Sequence, residues 1–342
     1  MFTQLRKGAL LGLGLCFVLG CWPRSCGESA CAIEVRPERM KVGELRQILK
    51  STRERNRRYQ PPSPIELNEA QASARTLFAE LSGERALTPQ LNARHVAPHF
   101  EMTATELGGA RAVAVHEQLE HRGGGGVYIF RLGPLSRERI VQVPHSFFDV
   151  GTLEIGLAVA DAASARAVFV NTVHRYQGRI QKAPADSDGE SSDEKPRPED
   201  APADLAHQDR TFFQTFTMAA LEVLPRLQVI QVHGFADASL PECTNALVVV
   251  SPGIAGCGAA EAASVAERLG ALLGRDRVLL YPRDTRRLGG TTNAQGRAIS
   301  TVEGASFLHI EISRTLRESL LRDASLRRAF ADAVAGQKEE VR

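Results

Sequence analysis

The sequence predicts an α/β fold in which helices flank a mixed β-sheet in three layers. Beyond residue 140, short apolar runs alternate with segments of helical periodicity, which is the pattern of a sheet covered by helices. The chain has 342 residues, 43% of them hydrophobic, enough to bury the core of one large domain or two small ones. Its 42 Lys and Arg nearly balance its 40 Asp and Glu, so the charge indicates no nucleic-acid surface.

The order of the elements follows from their periodicity. The first helix is expected from Ile65 onward, where apolar residues recur at helical spacing after Pro64. Two strands follow at 110–115 and 127–132, and the glycines at 123–126 are interpreted as a hairpin-like loop. Later strands are expected at 140–143, 167–171, 228–232, 245–250, 277–280 and 307–312. Later helices are expected at 153–163, 208–224, 259–273 and 313–336.

Residues 1–21 have the pattern of a bacterial lipoprotein signal peptide. Arg6 and Lys7 precede an apolar run that is too short to span a bilayer. The run ends in the sequence VLGC at 18–21, which resembles a lipobox. This resemblance implies lipidation of Cys21 and a membrane-anchored place in the bacterial cell envelope. The alternatives are an uncleaved anchor or an ordinary secretory signal, which would give a secreted or periplasmic protein.

The remaining chain divides by composition. Residues 22–64 are basic, end in several prolines and are interpreted as a tether. Residues 65–139 are expected to form an N-terminal accessory part, 140–325 the main domain, and 326–342 the last helix end and a tail. Within the main domain, the acidic segment 183–206 is expected to be a disordered surface loop. In an oxidising compartment the candidate disulfides are Cys26–Cys31 and Cys243–Cys257.

Two histidines follow predicted strands directly. His145 and Asp149 lie just beyond the strand at 140–143, and His233 follows the strand at 228–232. Open α/β sheets bind ligands at the carboxyl ends of their strands. Two His and one carboxylate are a common ligand set of catalytic zinc. The pattern therefore predicts a zinc site of these three residues, the alternative being that each His is a structural hydrogen-bonding residue.

A carboxylate also interrupts the apolar strand at 307–312. Glu311 would be costly to bury there unless it is paired or close to a metal. Strand alternation places it on the same face as His309 and Ser313. A Glu beside a catalytic metal can take the proton of an attacking water and deliver it to a leaving amine. Glu311 is therefore predicted to be a general acid/base, the alternative being an edge-strand residue that faces solvent or pairs with Arg314.

Three segments carry a resemblance to known enzymes: PHSFFDVGTLEIGLAVAD at 144–161, HGF at 233–235 and FLHIEISRTLR at 307–317. They resemble the poly-γ-glutamate hydrolases and N-formylglutamate amidohydrolases, which are related to the zinc carboxypeptidases and have a phosphorylase/hydrolase-like fold. The resemblance covers about residues 140–317. It implies a Zn²⁺ cofactor held by His145, Asp149 and His233, with Glu311 as general acid/base.

The resemblance also implies residues that contact substrate. Asn171 and Arg175, in FVNTVHRY, match an Asn and an Arg that hold a substrate carboxylate, and a guanidinium suits this role because it can bind a carboxylate bidentately. Arg314 would clamp substrate or neutralise a neighbouring acid. The segment after His145 departs from the family pattern in its residues and spacing, so Glu154 is the alternative acidic ligand.

The function predicted from the sequence is hydrolysis of an amide bond next to a carboxylate. The substrate would be a small molecule or peptide of the N-acyl-amino-acid, γ-glutamyl or muropeptide type. The alternatives are a carboxypeptidase or peptidoglycan amidase on the same site, or a ligand-binding lipoprotein without catalysis. Residues with weaker claims to the site are His174, His207, Asn293 and Arg297.

Overall fold

The computed structural model describes residues 59–82, 99–118, 123–133, 138–178, 201–254 and 258–336. The predicted signal peptide, Cys21 and nearly all of the tether lie outside these ranges, as do Cys26, Cys31 and Cys257. So does the part of the predicted acidic loop before residue 201. No helix within the described ranges has both the length and the apolar character needed to span a membrane.

The centre of the fold is a nine-stranded mixed sheet with the strand order β1-β2-β3-β5-β4-β6-β9-β7-β8. The strands are β1 (Phe100–Leu107), β2 (Ala110–Glu117), β3 (Val127–Arg131), β4 (Arg139–Val143), β5 (Ala167–Val170), β6 (Gln228–Phe235), β7 (Val248–Ser251), β8 (Val278–Leu280) and β9 (Ser306–Ser313). Strands β5, β4, β6 and β9 are parallel, whereas β1 to β3 and β7 join them in antiparallel pairs. The predicted mixed α/β fold is confirmed.

Helices cover both faces of this sheet. They are α1 (Pro64–Ser82), α2 (Thr152–Ala162), α3 (Phe212–Val223), α4 (Ala259–Leu273), α5 (Ala294–Ile299), α6 (Arg314–Arg322) and α7 (Ala324–Ala335). Helices α1 and α3 pack together over an aromatic core, in which Tyr128 stacks on Phe216 at 3.7 Å between ring centroids. Helices α2, α4 and α7 pack over the aliphatic opposite face. Successive residues of β3 from Val127 to Phe130 enter opposite cores, which is why these four residues are all apolar.

The structure differs from the sequence prediction at three elements. Strand β1 was not predicted because its edge position leaves much of it half-exposed, which weakens the alternation. Helix α5 has six residues, too few to show a period. The single helix expected at 313–336 is two helices, because Asp323 lies between them in a non-helical conformation. Its side chain caps α7 by accepting hydrogen bonds from Ser325 N and Leu326 N.

The parallel strands place the candidate residues at one edge of the sheet. Strand β6 lies between β4 and β9, and His233 of β6 is in register with Glu311 of β9. His145 follows the end of β4, next to the same end of β6. Because carboxyl ends of parallel strands share an edge, His145 and His233 become neighbours although they are 88 positions apart in sequence.

Candidate metal centre and active site

His145, Asp149 and His233 form a buried cluster. They are 2%, 3% and 4% exposed. A tight turn after β4, in which Asp149 N donates to the His145 carbonyl, brings the Asp149 carboxylate back beside the His145 ring. Gly234 N donates to Asp149 Oδ2 at 2.9 Å and ties this turn to β6. His145 and Asp149, four residues apart in sequence, are thus in contact.

Three potential ligand atoms of this cluster converge. His145 Nδ1 lies 3.1 Å from His233 Nδ1 and 3.4 Å from Asp149 Oδ2, and His233 Nδ1 lies 3.9 Å from the same oxygen. A point equidistant from atoms at these separations is about 2.0 Å from each, the usual length of a bond from zinc to nitrogen or oxygen. The predicted ligand set is therefore able to hold a metal ion.

The hydrogen bonds around the two rings assign their protons. His233 Nε2 lies 2.6 Å from Gln231 Oε1, and His145 Nε2 lies 2.8 Å from Asp204 Oδ1. Both oxygens can only accept, so each Nε2 carries a proton, and in the neutral form of each ring Nδ1 presents a lone pair. Two lone pairs and a carboxylate oxygen facing one another repel unless a cation or a proton lies between them. The donor set therefore fits a metal ion.

A buried amide network fixes the orientation of Gln231. Its Nε2 donates to Gln142 Oε1 and Gln295 Oε1, while its Oε1 accepts from Asn293 Nδ2. This pattern leaves Oε1, and not the NH₂ group, facing His233. Residues beneath the cluster thereby set the tautomer of a predicted ligand.

Burial and neighbouring charges shift the pKa values of the two histidines in opposite directions. Burial and the neighbouring histidines and Arg175 hold the pKa of His233 well below its usual value, so this ring is neutral. Burial also opposes protonation of His145, but the carboxylates of Asp149 and Asp204 beside the ring outweigh burial and raise the pKa of His145. Burial would raise the pKa of Asp204, yet its hydrogen bonds to His145 and His207 and the charge of Arg175 lower it. Asp204 therefore remains ionised.

Asp204 is a site residue that the sequence prediction placed inside a disordered loop. Residues 201–206 are instead ordered into buried turns, which corrects that part of the expected loop 183–206. Asp204 accepts from His145 Nε2, from Arg175 Nη2 at 2.5 Å and from His207 Nδ1 at 3.2 Å. A carboxylate between the apolar residues Ala203 and Leu205 was the available signal, the same one that identified Glu311.

Glu311 lines a cavity that has a volume of about 890 Å³. Its Oε1 lies 3.2 Å from Nε2 of His309, the residue that alternation placed on the same face. Its Oε2 is buried and has no hydrogen-bond partner among the described residues. His145, His233 and Asp204 line this cavity as well. A carboxylate with one unpartnered oxygen therefore borders the same cavity as two of the predicted metal ligands.

Arg175 also lines the cavity, as expected for a substrate-binding residue. Its side chain is 21% exposed, and Asp204 holds it in place. The guanidinium carbon lies 5.3 Å from the ring centroid of Phe148 and 5.4 Å from that of Tyr176. Nη1 reaches 3.5 Å from His145 Nδ1. A fixed cation thus borders the predicted metal position, and its Nε has no partner among the described residues.

Asn171 and Arg314 do not line the cavity, so the structure does not bring these two predicted substrate-binding residues to the cluster. Asn171 is fully buried, and its amide is used up by donating to the Pro144 carbonyl and accepting from Val173 N at 2.8 Å. Arg314 begins α6 with a side chain 72% exposed, paired with Glu318 one turn later. Asn171 therefore braces the turn after β4, and Arg314 is a surface residue.

Of the residues with weaker evidence for a role in the site, some line the cavity and others lie on the surface. His207 and Asn293 line the cavity, the latter as the N-cap of α5. His174 is exposed and packs edge-on against Phe148, and Arg297 is an exposed partner of Asp209. Glu154 lies in the first turn of α2 and does not line the cavity, so Asp149 is the acidic member of the cluster.

Cys243 was expected to pair with Cys257, which lies outside the described residues. The Cys243 thiol contacts Asn245 Oδ1 at 3.5 Å, and it forms no disulfide within the described ranges. Arg317, which the sequence prediction did not single out, is buried and donates to the carbonyls of Val150, Ile312 and Phe235. It joins the turn after β4 to the ends of β6 and β9.

Comparison with known proteins yields matches in structure. No family model and no curated protein sequence matches the chain. The chain is similar in structure to an N-formylglutamate amidohydrolase from Ralstonia eutropha JMP134, at 13% identity and a TM-score of 0.35, over 59% of this chain and 93% of that one. It is also similar to a Burkholderia mallei protein whose description proposes a carboxypeptidase, at 11% identity and a TM-score of 0.37, over 70% of this chain and 63% of that one. A gene product of Agrobacterium tumefaciens matches at 14% identity and a TM-score of 0.36, over 59% of this chain and 88% of that one.

One of the two classes that the sequence segments resemble, the N-formylglutamate amidohydrolases, is thus present among these structural neighbours. Because the TM-scores and identities are low, the function proposed below rests on the side chains of this chain.

Proposed function

We propose that the protein is a zinc-dependent hydrolase of amide bonds that lie next to a carboxylate. The observation that carries the proposal is the convergence of His145 Nδ1, Asp149 Oδ2 and His233 Nδ1 in the cavity where Glu311 presents a buried, unpartnered oxygen. Three protein ligands and an open fourth position are the arrangement of catalytic zinc sites. A site with only a structural role has no need of a free carboxylate oxygen beside it.

Zinc held by these three residues would polarise an amide carbonyl and lower the pKa of a nearby water. Glu311 Oε2 then accepts the proton of the attacking water and returns it to the nitrogen of the leaving amine. Asp204 and Gln231 hold the two imidazole rings in the tautomers that the metal requires.

Arg175 supplies the part of the site that recognises a carboxylate. Its guanidinium is held by Asp204 on one side and by two aromatic rings on another, so it loses little freedom on binding a ligand. N-Acyl-amino acids, γ-glutamyl compounds and muropeptides all carry an amide close to a carboxylate, and these are the substrate classes we propose. We further propose that the enzyme acts in the bacterial cell envelope, anchored through a lipid on Cys21.

Metal analysis combined with a substrate screen tests the proposal. We expect the purified protein to contain about one zinc per chain, as for a mononuclear site. We expect it to release amine from at least one acyl-amino-acid, γ-glutamyl or muropeptide amide, and to lose this activity reversibly with a chelator. A protein that neither retains zinc nor gains activity from added zinc would contradict the proposal. Zinc without turnover of any amide would favour a ligand-binding protein.

The carboxylate-binding role of Arg175 predicts a selective loss of binding in Arg175→Ala. A hydrogen bond to a charged group contributes about 1.5–3 kcal/mol, so KM should rise about tenfold or more. Arg314→Ala is the matched control, because that side chain is on the surface away from the cavity, and its KM should stay at the wild-type value. Steady-state kinetics on a substrate and on its amide-capped analogue measures the effect. An unchanged KM in Arg175→Ala would exclude the role.

A further inference from the structure

We propose that His309 is a positioning residue for Glu311, selecting which carboxylate oxygen takes part in catalysis; this inference rests on the function proposed above. The two residues are neighbours on one face of β9, in register with Gln231 and His233 of β6. His309 Nε2 lies 3.2 Å from Glu311 Oε1. Since an ionised carboxylate only accepts, the proton of this hydrogen bond belongs to His309.

The His309 ring is held so that this hydrogen bond has one geometry. It is 3% exposed, and its centroid lies 4.5 Å from that of His233. On another side it packs against Gly290, where a Cβ atom would come within 2.8 Å of His309 Nδ1. Gly290 has a φ of 63°, a conformation that glycine adopts readily. A glycine backbone and a predicted metal ligand therefore fix the ring on two sides.

This arrangement makes the two oxygens of Glu311 unequal. Oε1 is engaged by His309, whereas Oε2 is buried and has no partner among the described residues. Without His309 the carboxylate could rotate about its last bond and present its oxygens in several orientations. Proton transfer requires a fixed base within hydrogen-bond reach of the reacting proton, so the cost of losing His309 should fall on kcat.

Side-chain geometry provides a test in which two similar variants have opposite outcomes. The amide nitrogen of Gln can lie close to the position of His Nε2, whereas the shorter Asn reaches only the position of Nδ1. We expect His309→Asn and His309→Leu to lower kcat about 10- to 100-fold with little change in KM. His309→Gln should recover most of kcat, and all three proteins should keep about one zinc per chain. Equal losses in His309→Gln and His309→Asn, or a wild-type kcat in His309→Leu, would overturn the proposal.

A structural readout separates this inference from the proposed function. Failure of the proposed function would appear as absence of zinc or of turnover in the wild-type protein itself. Even in that case, crystal structures of the wild type and of His309→Gln should show one orientation of the Glu311 carboxylate. A crystal structure of His309→Leu should show a changed orientation or several orientations. The same single orientation in His309→Leu would overturn the positioning role. Thermal denaturation confirms that the variants compared are folded.

Discussion

Glu311→Gln should abolish turnover while leaving the zinc in place. The substitution keeps the size of the side chain and removes its ability to accept a proton, which contributes roughly 100- to 10,000-fold to the rate in general acid/base catalysis. Glu311 is not a member of the ligand cluster, so metal content should be unchanged. Steady-state rates on the best substrate of the screen, together with metal analysis of the same preparation, measure both quantities.

Glu303→Gln is the matched control for this prediction, because Glu303 is an exposed residue in the turn before β9. It should have wild-type activity and wild-type zinc. Loss of zinc from Glu311→Gln would mean that this carboxylate is a ligand and not the base. Retained activity would mean that another group accepts the proton.

His233→Ala should remove the zinc itself. The ring contributes one of three convergent ligand atoms, and two remaining protein ligands do not make a catalytic zinc site. We expect the zinc content to fall from about one per chain to the level of nonspecific binding, and amide hydrolysis to fall with it. Metal analysis after dialysis against a weak chelator measures the change. A variant that retains one zinc would show that the metal is held elsewhere.

A variant outside the ligand set should give an intermediate result. Asp204→Asn keeps a carbonyl oxygen for the His145 Nε2 proton but removes the negative charge that makes His145 a better ligand. Loss of such an outer partner typically weakens metal binding about 10- to 100-fold, so zinc should be lost at a lower chelator concentration than in the wild type. Asp209→Asn, at an exposed position paired with Arg297, is the matched control and should bind zinc normally. Equal zinc retention in both variants would contradict the orienting role of Asp204.

Much of the fold follows from local patterns in the chain. The apolar runs predicted to be strands within 140–312 are found as β4 to β9, and helix α4 has the bounds that its periodicity indicated. The elements that the sequence did not predict correctly also have local causes. An edge strand half-exposed to solvent and a helix of six residues have too weak a pattern to detect, and Asp323 ends one helix and begins the next within a continuous periodicity.

The candidate metal cluster was predictable because strand ends carry positional information. His145 follows β4 directly and His233 lies near the carboxyl end of β6, and the carboxyl ends of parallel strands meet at one edge. Glu311 was recognisable because a carboxylate in an apolar strand requires a reason to be buried. These inferences use only neighbours along the chain and a general rule of sheet topology.

The sequence by itself determined the α/β class, the strand-end positions of His145, His233 and Glu311, and the resemblance to amidohydrolases. Tertiary structure alone decided which groups complete the site: Asp204 enters it, whereas Asn171 and Arg314 are placed elsewhere. It also decided the tautomers, through the contacts of Asp204 with His145 and of Gln231 with His233. The physical reason is that a hydrogen bond between residues 59 positions apart, such as that from His145 to Asp204, depends on the path of the whole chain and leaves no periodic signal in the residues around either partner.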